Sequence, residues 1–258
     1  MGTKVKETCT VLSQDCIGKD IYSMWLQTKT IAGNAKPGQF VSVYTQDGSK
    51  LLPRPISLCE IDKEKGALRL VYRVTGPKTG TESFSKLTKG AQLDLLGPLG
   101  NGFPLEEAAG KKVFLMGGGI GVPPMLETMK QLDAEKIAVL GYRDELFLND
   151  EFEKNGQVYI ATEDGSAGTR GNVMDAIREN ELEADVIFAC GPKPMLRAIK
   201  AYAWRIRPTR MVMAEEEAAS TAQNSFFQQN SHINKTITVA SCRKSQSFDS
   251  SQFRINEY

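Results

Sequence analysis

The sequence predicts two domains of different class: an antiparallel β-barrel, then a doubly wound parallel α/β sheet, with an irregular tail after it. Two changes of pattern carry that expectation. From residue 4 to 100 short alternating apolar runs are separated by turn residues, and from Lys111 strand–helix alternation replaces them. A third change marks the tail, because all 23 glycines lie at or before Gly191. The expected boundaries are residues 1–103, 104–203 and 204–258.

In chain order, Lys4–Leu12, Asp20–Thr28, Gln39–Tyr44, Ile56–Ile61, Ala67–Val74 and Gln92–Leu95 read as strands. Asn34–Gly38 and Asp47-Gly48 supply turns, and the spacing suggests a small barrel. Two segments interrupt the alternation. In the first, Leu51–Glu60, Arg54 stands between two prolines with Ser57 three residues on. Held on a stiff extended edge, its guanidinium suits a pyrophosphate through bidentate hydrogen bonds. An ordinary exposed arginine on a stiffened loop is the competing reading. The second segment is Val71–Leu87, where Gly80-Thr81 opens a short helix with Phe84 and Leu87 turned inward. Thr81 reads as its N-cap, and Ser83 with the exposed N–H groups suits a phosphate. A capped helix crossing the barrel end would need the same residues.

The second half is organised around Lys111–Lys130. Val113–Met116 is a short buried strand, followed by Gly117, Gly118, Gly119 and Gly121 and by the pair Pro123-Pro124. Met125, Leu126, Met129 and Leu132 then recur at helical spacing. A strand, a glycine turn and a helix start let the backbone approach a phosphate. G-x-G-x-x-P departs from the full dinucleotide fingerprint, and a tight turn without ligand fits it too. Three more strand–helix pairs follow, starting at Ile137, Val158 and Val186. Their strand ends carry Gly141–Asp144, Thr162–Ser166 and Cys190–Met195, polar or glycine-rich stretches gathered where such sheets bind ligands.

Composition narrows the function classes. With 258 residues, 41% hydrophobic and 24% charged, the chain reads as globular, and its net charge of +1 favours neither nucleic acid nor a membrane. No apolar run reaches spanning length, and the N-terminus lacks a signal peptide's apolar core. The scattered Cys9, Cys16, Cys59, Cys190 and Cys242 suggest a reducing, cytoplasmic setting and have no metal-ligand spacing. His232 is the sole histidine, which argues against His-dependent hydrolysis or His-ligated zinc in the main body. A cofactor that carries its own chemistry fits better, so no side chain is assigned a catalytic acid–base or metal role.

With these pieces in order, the chain resembles the ferredoxin–NADP reductase superfamily. Within it the likeness is to the electron-transfer subunits of two-subunit, NAD-linked dihydroorotate dehydrogenases. Six motifs carry it: Arg54–Ser57, Val71–Thr81, Gly97–Phe103, Met116–Pro124, Thr162–Val173 and Ala189–Leu196. The resemblance implies an FAD-binding barrel and an NAD-binding second domain. It places Arg54, Pro55, Ile56 and Ser57 along the flavin and its pyrophosphate, Val71, Tyr72 and Arg73 beside it, and Gly80 and Thr81 on its phosphates. Gly117, Gly118, Gly119 and Gly121 with Cys190, Gly191, Pro192 and Met195 would hold the nicotinamide cofactor. It further implies electron transfer from NADH through FAD to an FMN-containing catalytic partner, in a heterotetramer serving pyrimidine synthesis. A stand-alone NAD(P)H:flavin or ferredoxin reductase, or a non-catalytic flavin-binding subunit, are the alternatives. NADH oxidation with ferricyanide separates the last from the others, and orotate-linked NAD reduction separates the first two.

The family pattern also implies a C-x4-C-x2-C…C segment ligating a [2Fe–2S] cluster. After Ala203 this chain has Cys242 alone, and from Ser220 onward about half its residues are Ser, Thr, Asn or Gln. Such composition favours loose packing, with a short helix over Met211–Glu217. An abrupt loss of glycine and periodicity is what a shifted reading frame leaves, and a cysteine-rich alternative frame past codon 203 would show it. For cofactor choice, Arg143 suits a 2′-phosphate, whereas Asp144 and Glu145 oppose one.

Overall fold

A computed structural model describes residues 4–48, 50, 52–206, 210–215 and 236–241. Six strands close into the antiparallel barrel: β1 (Val5–Gly18), β2 (Ile21–Gln27), β3 (Phe40–Val43), β4 (Arg54–Asp62), β5 (Ala67–Arg73) and β6 (Gln92–Leu99), in the order β1-β2-β5-β4-β3-β6. Alternation works as expected. Val11, Met24, Leu26, Val41, Leu58, Leu70 and Leu93 fill the interior, each at most 1% exposed. A single turn, α1 (Ile31–Asn34), follows β2. The Glu7 carboxylate accepts the N–H groups of Lys29 and Thr30 just before it.

Between β5 and β6 runs α2 (Gly80–Ser85). Its N-cap is Thr79, not Thr81. Thr79 is extended and its hydroxyl accepts the N–H of Glu82, while Thr81 lies inside the first turn. The signal was in the sequence as Thr79-x-x-Glu82, a capping pattern offset by two residues from the expected one. Phe84 is buried as expected, and Leu87 partly so.

The second half is a parallel sheet in the order β10-β9-β8-β7-β11-β12-β13. Its central strands are β7 (Lys112–Gly118), β8 (Glu135–Tyr142), β9 (Gln157–Thr162) and β11 (Val186–Gly191). They are linked by α3 (Pro123–Gln131), α4 (Asn149–Glu153), α5 (Val173–Glu179) and α6 (Lys193–Ile206). A two-residue strand, β10 (Thr169–Arg170), pairs with β9. Pro123 and Pro124 open α3, where a missing N–H costs no helix bond. β7, β8 and β11 are nearly continuous apolar runs because helices cover both faces.

Two strands correct the reading of the tail. Residues 210–215 form β12 (Arg210–Glu215), not a helix: it lies parallel to β11, with Ile187 opposite Met211 and Phe188 opposite Val212. Met211, Val212 and Met213 are buried there, so a three-residue apolar run beside a waiting sheet edge wins over helix propensity. β13 (Thr236–Ser241) then pairs with β12; its Thr236-Ile237-Thr238-Val239 alternation is a short strand signal passed over inside a polar tail. Cys242 and His232 lie outside the described residues.

The two halves share a core. Ile21, Cys59, Val71 and Phe103 pack in one cluster with Met125, Leu126, Met129, Tyr142, Phe147 and Phe152. Phe103 also stacks on Phe188 of β11, with ring centroids 5.2 Å apart.

Candidate functional site: a barrel-side cradle and a switch-point crevice

Arg54 opens β4, opposite Val43 of β3. One of its outer nitrogens, Nη1, donates to Leu52 O at 2.9 Å. Its Nε is different: among the described residues it is the one buried side-chain nitrogen or oxygen without a hydrogen-bond partner. An unpaired buried donor of this kind costs on the order of 1–3 kcal/mol. It lies over the start of α2, where a Cβ added to Gly80 would stand 3.0 Å from Arg54 Nε and 3.2 Å from Thr45 Cγ2. Glycine is therefore what lets the guanidinium settle on the helix start. Lys50 brings a second cation to α2, with Nζ 2.5 Å from Ser83 Oγ and 3.1 Å from Asp47. A cavity of about 310 Å³ opens there between Tyr44–Asp47 and Ser83, Phe84 and Leu87. The donors fit a diphosphate.

Other expected residues take different positions. Thr81 is buried and its hydroxyl accepts the N–H of Thr75, within 3.1 Å of the Thr79 hydroxyl, so it shapes the turn from inside. Pro55 pairs opposite Ser42 and Ser57 opposite Phe40. The side chains of Ile56 and Tyr72 belong to the barrel core. Tyr72 donates to Gln14 Oε1 at 2.8 Å, stacks on Tyr22 and meets Phe84 edge-on, and burial pushes its phenol well above the usual range. Val71 faces the core shared with the second half, and Arg73 is exposed at the end of β5.

Strand order in the parallel sheet reverses between β7 and β11, the place where such sheets bind ligands. Both strands end there in glycine, and their turns touch. A Cβ on Gly121 would stand 2.3 Å from the carbonyl oxygen of Cys190. A Cβ on Gly118 would meet Met195 Sδ at 2.4 Å, and one on Gly191 would meet Met195 Cε at 2.4 Å. Gly117 is pressed against Val122, whose Cα would lie 2.8 Å from a Cβ. Gly119 alone of this set has positive φ, +54°, with nothing within 4 Å of where a Cβ would be. It borders open space, and the tight turn Gly119–Gly121 leads straight into α3. Cys190 is buried, Met195 half-buried and Pro192 exposed.

Next along the sheet, the loops after β8 and β9 are tied by Ser166 Oγ donating to Asp144 O at 3.2 Å. Arg143 and Asp144 are exposed there. Glu145 beside them is exposed too, and its carboxylate accepts the Lys19 N–H at 2.7 Å, on the β1–β2 hairpin.

Among the described residues the thiols do not fit an iron–sulfur cluster. Cys9 lies in the barrel core, where burial and the nearby Glu7 and Asp94 carboxylates push its thiol up to about 12. Cys59 is buried at the junction of the two halves, Cys16 is exposed on β1, and Cys190 is the next-to-last residue of β11. Among the described residues no three His, Cys, Asp or Glu side chains are grouped to hold a metal, and no helix is long and apolar enough to cross a membrane.

No protein-family model matches the chain. Among solved structures, an NADH-dependent reduced ferredoxin–NADP oxidoreductase studied for flavin-based electron bifurcation matches with a TM-score of 0.66 and 25% identity, over 76% of this chain and 72% of that one. A cytochrome P450 reductase from Amycolatopsis shares the fold, with a TM-score of 0.68 and 21% identity over 84% of this chain and 71% of its own. Among sequences, the electron transfer subunit of dihydroorotate dehydrogenase B (NAD(+)) from Bacillus caldolyticus is 45% identical over 201 residues, covering 75% of this chain and 77% of that protein. Its counterpart from Bacillus cereus is 37% identical over 246 residues, 93% of each. The chain belongs to the family of dihydroorotate dehydrogenase B electron transfer subunits, on a ferredoxin–NADP reductase-like fold.

Proposed function

We propose that the chain binds FAD on the barrel (residues 1–103) and NADH on the parallel sheet (residues 104–203). On this reading it passes electrons between them and the FMN-containing catalytic subunit of a dihydroorotate dehydrogenase, within a heterotetramer. The unpartnered Nε of Arg54, held over Gly80, carries the reading. A buried guanidinium nitrogen without an acceptor calls for an anion, and a flavin dinucleotide brings one in its diphosphate. FAD, when bound, supplies the step between a two-electron donor and one-electron carriers.

The chain's own residues do the rest. Arg54, Lys50 and the N–H groups at the start of α2 hold the diphosphate, while Pro55, Ile56 and Ser57 line the strand along which the flavin lies. Val71 backs the junction, and the main chain of Tyr72 and Arg73 borders the cofactor. Across the switch point, Gly117, Gly118, Gly119 and Gly121 let the main chain approach the nicotinamide nucleotide. Cys190, Gly191, Pro192 and Met195 close the other wall. No proton has to be moved by a side chain, which agrees with a histidine-free main body. The described thiols fit no cluster, so no step is routed through one.

The test is flavin retention. Arg54→Ala should release FAD on gel filtration while the parallel sheet still binds NADH; unchanged flavin content would remove FAD from this site.

A further inference from the structure

β3 stops pairing with β4 at Ser57, so the far half of β4 has an open edge. That edge is covered by α3 of the other half. The Glu127 carboxylate accepts the Ile61 N–H at 2.9 Å and is steadied by Gln131. One residue earlier, Glu60 pairs with Lys130 of α3 and, at 2.5 Å, with Arg69 of β5. Arg69 reaches on to Glu151 of α4 at 2.6 Å and to Ser23 of β2 at 2.8 Å. The register shift between Leu58 and Glu60 sets Glu60 directly opposite Arg69. Side chains of Glu60 and Arg69 are 13% and 11% exposed, so their contact is largely dry, while Lys130 and Glu151 reach it from the partly exposed rim. Lys130 and Arg69 hold the Glu60 carboxyl below the usual range against the opposing effect of burial, whereas burial raises that of Glu127.

The two elements so joined carry the two candidate sites at their other ends. β4 begins with Arg54–Ser57, and α3 begins at the glycine turn. Three residues of strand separate Ser57 from Glu60, about 10 Å. Seven residues of helix separate Pro123 from Lys130, also about 10 Å. We propose that Glu60, Arg69, Glu127 and Lys130 form a splint between β4 and α3 that sets the flavin strand at a fixed offset from the nucleotide turn. This makes them positioning residues for electron transfer from NADH to the flavin, and it rests on the cofactor assignment above.

The shared apolar core would still hold the halves together without these contacts, so removing them permits slippage rather than separation. Transfer between two bound partners is sensitive to that, since a misplacement of ~1 Å costs on the order of 100-fold. The variant is Glu60→Gln with Lys130→Met, which removes the ion pair and leaves no lone buried charge on either of its members. At saturating NADH, flavin reduction should slow by about tenfold or more, with FAD content and the KM for NADH within about twofold. Lys130→Arg should keep the rate. In protein stripped of FAD, Glu127→Leu should speed hydrogen exchange at the Ile61 amide. This readout needs no cofactor. An unchanged maximal rate in a folded, flavin-loaded variant overturns the proposal. So does a loss of rate that follows lost FAD or a raised KM. Should the double variant fail to fold, Lys130→Met alone decides by the same criteria. Wild-type protein that NADH cannot reduce would defeat the cofactor assignment instead, and Ile61 exchange would still judge the splint.

Discussion

At the barrel the candidate site centres on a charged side chain with an unanswered donor, whereas at the switch point every close approach is made by glycine against main chain or a soft thioether. Arg54 Nε waits in a buried position over Gly80, and Lys50 reaches the same helix at Ser83. Across the molecule, Gly121 is packed so closely against the Cys190 main chain that no side chain fits, while Gly118 and Gly191 press on the end of the Met195 side chain. A fixed guanidinium with a buried, unanswered nitrogen suits a ligand that stays, because charge-assisted bonds are strong. Main-chain contact at a helix start is weaker and suits a nucleotide that arrives, reacts and leaves. On the assignment proposed above, a resident cofactor and an exchanging substrate would differ in the material of their sites.

Changing the crowded turn should have the largest effect. Gly121→Ala would put a carbon 2.3 Å from the Cys190 carbonyl oxygen, which is backbone and cannot swing away. We expect a destabilisation of about 3 kcal/mol, seen in chemical denaturation, with NADH binding lost. Full stability would mean that the two turns are not pressed together. Arg54→Ala comes next. FAD affinity should fall by about 1.5–3 kcal/mol, read by flavin titration of the stripped protein, with the parallel sheet's stability unaffected. A smaller loss, under about 1 kcal/mol, would put Arg54 among ordinary surface arginines. Gly119→Val is milder, because the new side chain points into open space and only the +54° φ is strained. That strain is about 1–2 kcal/mol, and the KM for NADH should rise on the order of tenfold with FAD retained. Lost FAD with normal NADH kinetics would exchange the two assignments.

The pieces of this contrast were unevenly legible in the sequence. Prolines around Arg54, the glycine turn before α3 and the period change at Lys111 each reflect a local backbone demand, so they were readable in place. Thr81 was mistaken for the helix cap because two threonines flank Gly80, and only the Glu82 N–H decides between them. β12 and β13 were missed because their stability comes from a neighbouring strand more than from their own pattern. The bonds from Arg69 to Glu60 and Glu151 were invisible for the same reason. Arg69 and Glu151 are 82 residues apart, and nothing local marks them as a pair. Nor does sequence show that the Glu145 carboxylate accepts the Lys19 N–H from the first hairpin.

The smallest expected effect concerns the helix under the flavin strand. Thr79→Ala removes the side-chain acceptor for Glu82 N–H and should cost ~1 kcal/mol of stability. FAD affinity should fall slightly with it, since the helix start frays. Thr81→Ala should instead loosen the turn from Gly76 through its lost bond to Thr75.

The central proposal is that this chain binds flavin and nicotinamide nucleotide while its described residues assemble no set of thiolates. The most direct measurement is an absorption spectrum of the purified chain before and after NADH, with iron and sulfide determined on the same sample. The account predicts flavin bands that bleach with NADH, rapid ferricyanide reduction, no stoichiometric iron, and slow or absent orotate-linked NAD reduction with the partner subunit present. Restoring the family's cysteine segment after Ala203 should bring back both iron and coupling. A colourless chain, or one that holds iron and sulfide stoichiometrically as written, would contradict it.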